Sequence, residues 1–465
     1  MHPILFRIPL PKMPLKLWWG LVAVCAIAAV YLLLGLKKKD RATAITSLVV
    51  VAGAGAAAWI FRETKYEAAN LPIYSYGVML GLSLVVGWYL TLTLAERDGL
   101  PKETMANCYV VTALAAILGS RVLYVATNPD EFKDLAHDFF AFRRGGLVAY
   151  GGFLGGYLGS WLFLQRHKIR LMPWADVAVP SLASGLFITR IGCYLFGCDF
   201  GKRLPDSAPG FLKTLGTFPH WESGEGAPAF IKQLQVLERG TPAGDALLKM
   251  NHSFPVHPTQ IYESVVGLGL LLLLLWQRKQ QKFRGQIFFL FAFAYGYLRF
   301  ILEVLRDDSE RGEFGPRIAE HWFISGSLFV MAIAFVFGVS LGITNTRARS
   351  IARAASFVPA VVAFVALRPA SFAKQSDIQL STSQWIGLLT ACAVSYFYAQ
   401  FWEEARRNPK LAMSLESLGD IKAVETARKR HDDEDEDDAD DDEDEESVNP
   451  SDEDRPKDKD SPEPA

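Results

Sequence analysis

Cysteine is scarce in this chain, five residues in 465 with no CxxC pair, which excludes a disulfide-built scaffold. A glycine-rich P-loop is absent, and no His/Cys/Asp group has metal-ligand spacing, so the sequence calls for no nucleotide, metal or other cofactor. Cys193 and Cys198 form the only close pair. Along a regular helix they stand about 7.5 Å apart, too far for a bridge without local unwinding, and an irregular helix end leaves pairing open. Charge is missing from long stretches. Half of the residues are hydrophobic, which excludes an ordinary soluble enzyme.

What is present is a series of apolar runs, each near the roughly 20 residues that cross a bilayer. Eleven stand out, at 17–36, 44–61, 72–95, 105–127, 145–164, 173–195, 258–276, 286–304, 322–341, 351–367 and 385–402. They predict an all-α, polytopic transmembrane bundle. The first ends in Lys37, Lys38 and Lys39 without a small-residue cleavage site and reads as a retained span rather than a signal peptide.

Basic clusters at 37–41, 165–170, 277–284, 344–353 and 403–410, with a weaker one at 96–102, all fall on one side if the spans alternate. The positive-inside rule makes that side the cytoplasm. The N-terminus and residues 201–256 are then extracytoplasmic, and the C-terminus is cytoplasmic. From Asp432 onward there are twenty acids and three bases, which is −17; the total of −2 leaves +15 for the rest. Such a segment has no means of forming a core and is expected to be disordered, while a basic body suits anionic lipid.

Ionisable residues inside spans are costly and mark function by default. Arg121 follows Gly119 and Ser120, with Tyr124 one turn on. Arg190 lies in TRIGCYLFGCDFG; Arg299, Glu303 and Arg306 lie in AYGYLRFILEVLR on one expected helical stripe. Several arginines at one depth make a site for a phosphate-bearing headgroup. A second reading is that Arg299 and Glu303 merely neutralise each other. In GGLVAYGGFLGGYLGS, Gly151, Gly155 and Gly159, and likewise Gly152 and Gly156, have the spacing that permits close helix packing. Tyr150 stands among them with a hydroxyl that needs a partner. In HPTQIYE, His257 and Pro258 suit a helix start, with Gln260 and Glu263 pointing polar groups into the same region.

In this order, SYG (Ser75 to Gly77), GSRVLY, GGLVAYGG, RIG with the later Gly201, HPTQIYE and YGYLRFILEVLR resemble prolipoprotein diacylglyceryl transferase. That family places a diacylglyceryl group on the lipobox cysteine of secreted prelipoproteins. The likeness covers seven spans, and MHPILFRIPL is similar to the family's N-terminal belt.

The resemblance implies a bacterial inner-membrane enzyme. It would join diacylglyceryl from phosphatidylglycerol to a prelipoprotein thiol as a thioether, with no nucleic-acid partner. It assigns Tyr150, Arg190, Arg299 and Glu303 to catalysis. Tyr76, Arg121, Tyr124, Gly151, Gly152, Gly201, His257, Gln260, Glu263 and Arg306 would bind substrate. Its domains are the belt with two extra spans (1–70), the core (71–342), two further spans (343–410) and an acidic tail (411–465). Tyr150 replaces the family's usual histidine, and Cys193, Phe196 and Cys198 stand where asparagines and a glutamate are usual, with Asp199 a partial substitute. Two alternatives remain: a non-catalytic phospholipid-binding or transport protein, and a transferase for a different acceptor.

Overall fold

The computed structural model describes residues 3–9, 15–38, 70–132, 146–219, 226–237, 241–250, 252–307, 312–368 and 377–420, with isolated residues between 47 and 66 and at 139. The expected span at 44–61 lies largely outside them, as does the acidic segment from Asp432.

The chain begins with β1 (Ile4–Pro9) and the helix α1 (Leu17–Lys38). Then come β2 (Asn70–Tyr74), α2 (Ser75–Arg97), α3 (Lys102–Thr127), α4 (Ala149–Arg166) and α5 (Leu171–Phe196). After a connection with three short helices follow α6 (Thr259–Arg278), α7 (Gln286–Glu303), β3 (Glu313–Ala319) and α8 (Glu320–Phe337). The last elements are α9 (Thr346–Ala355), α10 (Val358–Ala366), β4 (Asp377–Ser381) and α11 (Thr382–Arg407). Among the described residues seven segments are long and apolar enough to cross a membrane: α2, α3, α5, α6, α7, α8 with its following turn, and α9 with α10. The protein is a multi-pass helical bundle. Its exposed Leu82, Leu114, Leu154, Leu272 and Val361 present apolar surface to lipid.

Three boundaries differ from those the apolar runs suggest. The run at 72–95 enters through a strand, because Asn70–Tyr74 pairs with β1, and the helix starts only at Ser75. The run at 351–367 falls on two helices, the end of a basic amphipathic helix of ten residues followed by an apolar one of nine. The ordered body continues to Asp420, beyond the expected start of the tail. Leu418 is fully buried and its carbonyl accepts from the Arg170 N–H at 2.8 Å.

Small residues decide how closely α3 and α4 approach. A Cβ on Gly151 would overlap the Gly119 carbonyl, and one on Gly155 would overlap that of Ala115. Aromatic and aliphatic side chains seal α7, α8 and α11 together around Phe289, Phe293, Phe300, Met331, Ala391 and Tyr398. At one end of the bundle Asp98 takes Arg278 and Arg284, each at 2.7 Å. There the buried Asp176 caps the start of α7, accepting from Gly285 N at 2.6 Å and Phe288 N at 2.9 Å.

The other end holds the two-stranded ladders. β1 lies antiparallel to β2, and the Ser75 N–H donates to the Pro3 carbonyl at 2.9 Å. The belt therefore reaches the start of α2 although more than sixty residues intervene in the sequence. β3 pairs with β4 in a register that sets Glu313 opposite Ser381, which fixes where α11 begins.

Candidate active site

α5, α6 and α7 bring their ionisable residues together at the strand-bearing end. Glu263, on the second turn of α6, is 4 % exposed and is the centre of the cluster. Its Oε2 lies 2.5 Å from Arg190 Nε, and its Oε1 lies 2.6 Å from Arg299 Nη1 and 3.0 Å from Arg306 Nη1. Asp199 closes the ring with 2.7 Å to Arg190 and 2.6 Å to Arg306. Glu303 holds Arg299 from one turn further along α7, at 2.8 Å. Three guanidiniums against three carboxylates make these six residues formally neutral. That is how the bundle holds them at low exposure without an uncompensated charge.

Arg306 reaches this ring by a route the expected stripe does not contain. α7 ends at Glu303, and the chain then turns so that Arg306 forms an isolated bridge with Gly201. Lys202 N–H donates to the Leu305 carbonyl at 2.8 Å and Gly201 N–H to the His257 carbonyl at 2.9 Å. A Cβ at Gly201 would lie 2.6 Å from the Leu305 carbonyl oxygen, so glycine is required by close approach. His257 serves this backbone junction, and its ring nitrogen Nδ1 is 3.4 Å from the Tyr262 hydroxyl. Burial, aided by the Lys202 charge, lowers its pKa.

Asp199 follows the abrupt end of α5. Gly197, at φ +85, stops the helix in the left-handed conformation. The separation estimated for Cys193 and Cys198 on a continuous helix therefore does not apply. One ligand-type atom from each of Cys193, Cys198 and Asp199 lies within 4.8 Å of the others. Both thiols are free, and both Asp199 oxygens are occupied by arginines. Burial raises the Asp199 pKa, but Arg190 and Arg306 outweigh it and hold the carboxyl at about 2. The Cys198 thiol is pushed up by its neighbour Cys193 and by burial, so it stays protonated.

A cavity of about 290 Å³ opens beside this cluster, lined by Tyr76, Arg190, Cys193, Asp199 and Tyr295 on its polar side. Phe153, Leu182, Leu186 and Phe291 line the apolar side. Phe153 and Leu182 are also exposed on the outside of the bundle, so the cavity lies against the lipid-facing surface.

The remaining predicted residues divide. Gln260 is fully buried and its amide donates to the Cys198 carbonyl, while its Oε1 is buried without a hydrogen-bond partner. Tyr150 donates to Ser383 at 2.9 Å. Gly151 and Gly152 pack α4 on α3, against Gly119 and Ser120 respectively. Arg121 is buried elsewhere than expected. Its Nε and Nη1 donate to the carbonyls of Phe139 at 2.9 Å and Gly146 at 3.0 Å, and its guanidinium lies over Tyr124 and Phe132. Arg121 and Tyr124 thus pack against Phe132 just after α3, and Arg121 also ties α3 to Phe139 and Gly146.

Sequence reasoning missed Tyr295, Ser381 and Ser383. Tyr295 stands one turn before Arg299 in the same motif, a spacing that marks a shared face. The two serines lie outside every motif.

A model of the prolipoprotein diacylglyceryl transferase family matches residues 64–347, more than half of the chain. The protein belongs to this family. It is 30% identical over 278 residues to the phosphatidylglycerol–prolipoprotein diacylglyceryl transferase 2 of Clostridium perfringens (strain 13 / Type A), covering 59% of this chain and 92% of that one. Against the phosphatidylglycerol–prolipoprotein diacylglyceryl transferase of Clostridium tetani (strain Massachusetts / E88), identity is 29% over 286 residues, 60% of this chain and 97% of the relative. With the Bacillus cereus (strain B4264) enzyme of the same name it is 30% over 271 residues, 58% and 89%. All six members of the charged ring fall within the family segment of this diacylglyceryl transferase homologue, whereas β1, β4 and α11 lie outside it.

Proposed function

We propose that this family member transfers the diacylglyceryl group of phosphatidylglycerol to the lipobox cysteine thiol of prelipoproteins. The observation that carries this reading is the set of three arginines beside a cavity that meets the lipid-facing surface. Acyl chains enter past Phe153 and Leu182, and the headgroup phosphate reaches Arg190 and Arg299. The cysteine thiolate attacks the glyceryl carbon that bears the phosphate ester. A carbon–sulfur bond forms, the carbon–oxygen bond breaks, and glycerol phosphate leaves with the electron pair. Negative charge grows on the departing oxygen, where guanidinium hydrogen bonds stabilise it most. Because the ring is neutral, the phosphate takes over the place of a carboxylate, and Asp199, the most exposed of the three at 28 %, is the one positioned to yield Arg190.

The site faces the extracytoplasmic side of a bacterial inner membrane. Supporting this orientation, Arg170, Arg278 and Arg284 gather at the opposite end of the bundle, with the C-terminal segment folded beneath them. Tyr76, Tyr295 and Gln260 position the headgroup and the thiol.

A second reading, a phospholipid-binding protein without transfer activity, rests on Tyr150, whose phenol stands where the family carries histidine and spends its proton on Ser383. The deciding experiment is complementation of cells depleted of their own diacylglyceryl transferase, with a reporter prelipoprotein followed by intact mass. A gain of one diacylglyceryl group, lost in R299A, supports transfer. No gain from a well-expressed protein that still retains phosphatidylglycerol supports binding alone.

A further inference from the structure

The residues Ser381, Thr382, Ser383 and Gln384 open α11, a helix beyond the segment that the family shares. They form a capping box. The Gln384 N–H donates to Ser381 Oγ at 3.2 Å, and the Ser381 N–H donates to Gln384 Oε1 at 2.9 Å. Caps of this kind usually sit in water; Ser381 and Gln384 are buried. The box accepts with the serine oxygen, so the serine proton is free for a third partner. It goes to Glu303 Oε1 at 3.2 Å. Two residues on, Ser383 accepts the phenol proton of Tyr150 at 2.9 Å.

We propose that the first turn of α11 is a positioning device for the transferase site, with Ser381 orienting Glu303 and Ser383 orienting Tyr150. This rests on the transfer reading. Ser381 occupies one oxygen of Glu303, which leaves the other facing Arg299 Nη2 at 2.8 Å and so fixes the guanidinium that meets the phosphate. Ser383 accepts the hydrogen bond of the Tyr150 hydroxyl, so the phenolic oxygen meets the incoming thiol as an acceptor rather than a donor. This arrangement gives Tyr150 a defined role beside the charged ring.

The turn is held in place by the tertiary structure on both sides. β4 pairs with β3, and the Thr382 N–H donates to the Gly312 carbonyl at 2.8 Å. Further along, Gly387 lies against Gly296, so the backbones of α11 and α7 touch. A hydroxyl supplied from such a fixed turn loses little freedom when it bonds.

The test uses the full-length protein in vesicles containing phosphatidylglycerol, with a lipobox peptide as acceptor and intact mass as readout. S381A and S383A are each expected to lower kcat by about tenfold with little change in KM, the size of one lost hydrogen bond. S381T and S383T restore the rate. In a double-mutant cycle, adding S383A to Y150F causes no further loss, because the partner is already gone. Parental kcat in S383A, or a full additional loss in the Y150F background, overturns the assignment for Ser383. Loss in S381A that follows a lowered unfolding temperature and is not restored by S381T overturns it for Ser381. A parent chain that binds phosphatidylglycerol but transfers nothing overturns the transfer reading, and this inference with it.

Discussion

Glu263 Oε2 lies 2.5 Å from Arg190 Nε, which ties α6 to α5 beside the cavity. The same carboxylate serves Arg299 and Arg306, so one acid fixes guanidiniums from three separate parts of the chain. Removing it leaves three buried cations with one fewer partner. E263A is expected to cost about 3–5 kcal/mol, the scale for breaking a buried pair. E263Q, which keeps the shape and one acceptor, is expected to cost less. Thermal unfolding in detergent orders the two variants, and equal stability of E263A and the parent would refute the hub.

Arg190 is the cation shared by the ring and the cavity. R190A is expected to reduce transfer on the order of 10²–10³-fold, as for loss of a donor aimed at developing charge. R190K keeps the charge but loses the paired geometry, so it falls between the two. Transfer rates of the three proteins at saturating phosphatidylglycerol check this.

Asp199 carries the pH dependence. Its pKa in the folded protein, about 2, is below the ordinary 3.8. A depressed carboxyl contributes its stabilisation above the unfolded value and loses it as the pH falls through the folded one. The unfolding temperature of the parent should therefore drop between pH 4 and pH 2, roughly the interval between the two values. D199N should show a shallower drop over the same interval. Parallel curves would count against the pairing with Arg190 and Arg306.

Gly151 tests the α3–α4 contact. G151L inserts a side chain where the Gly119 backbone already lies, and is expected to cost about 1–3 kcal/mol or to reduce accumulation in the membrane. G185A, where a Cβ meets nothing within 4 Å, is the matched control. Membrane yield and unfolding temperature together separate them.

The amino-acid order determines the bundle, because apolar length and helical spacing are local properties that need no partner. It marks Arg190, Arg299 and Glu303 as candidates for function, since a charge in an apolar run is costly wherever the run packs. It also identifies the glycines that let α3 and α4 meet. Tertiary structure decides the rest. Glu263 becomes the hub, and Asp199 the clamp, only when helices separated by tens of residues converge. Arg121 carries the same local signature as Arg190, yet its guanidinium donates to the carbonyls of Phe139 and Gly146, partners that only the tertiary structure supplies. Ser381 and Ser383 give no local signal beyond a helix cap. Their partners, Glu303 and Tyr150, lie 78 and 233 residues away, and hydrogen bonds of that range exist only once packing has fixed the backbone.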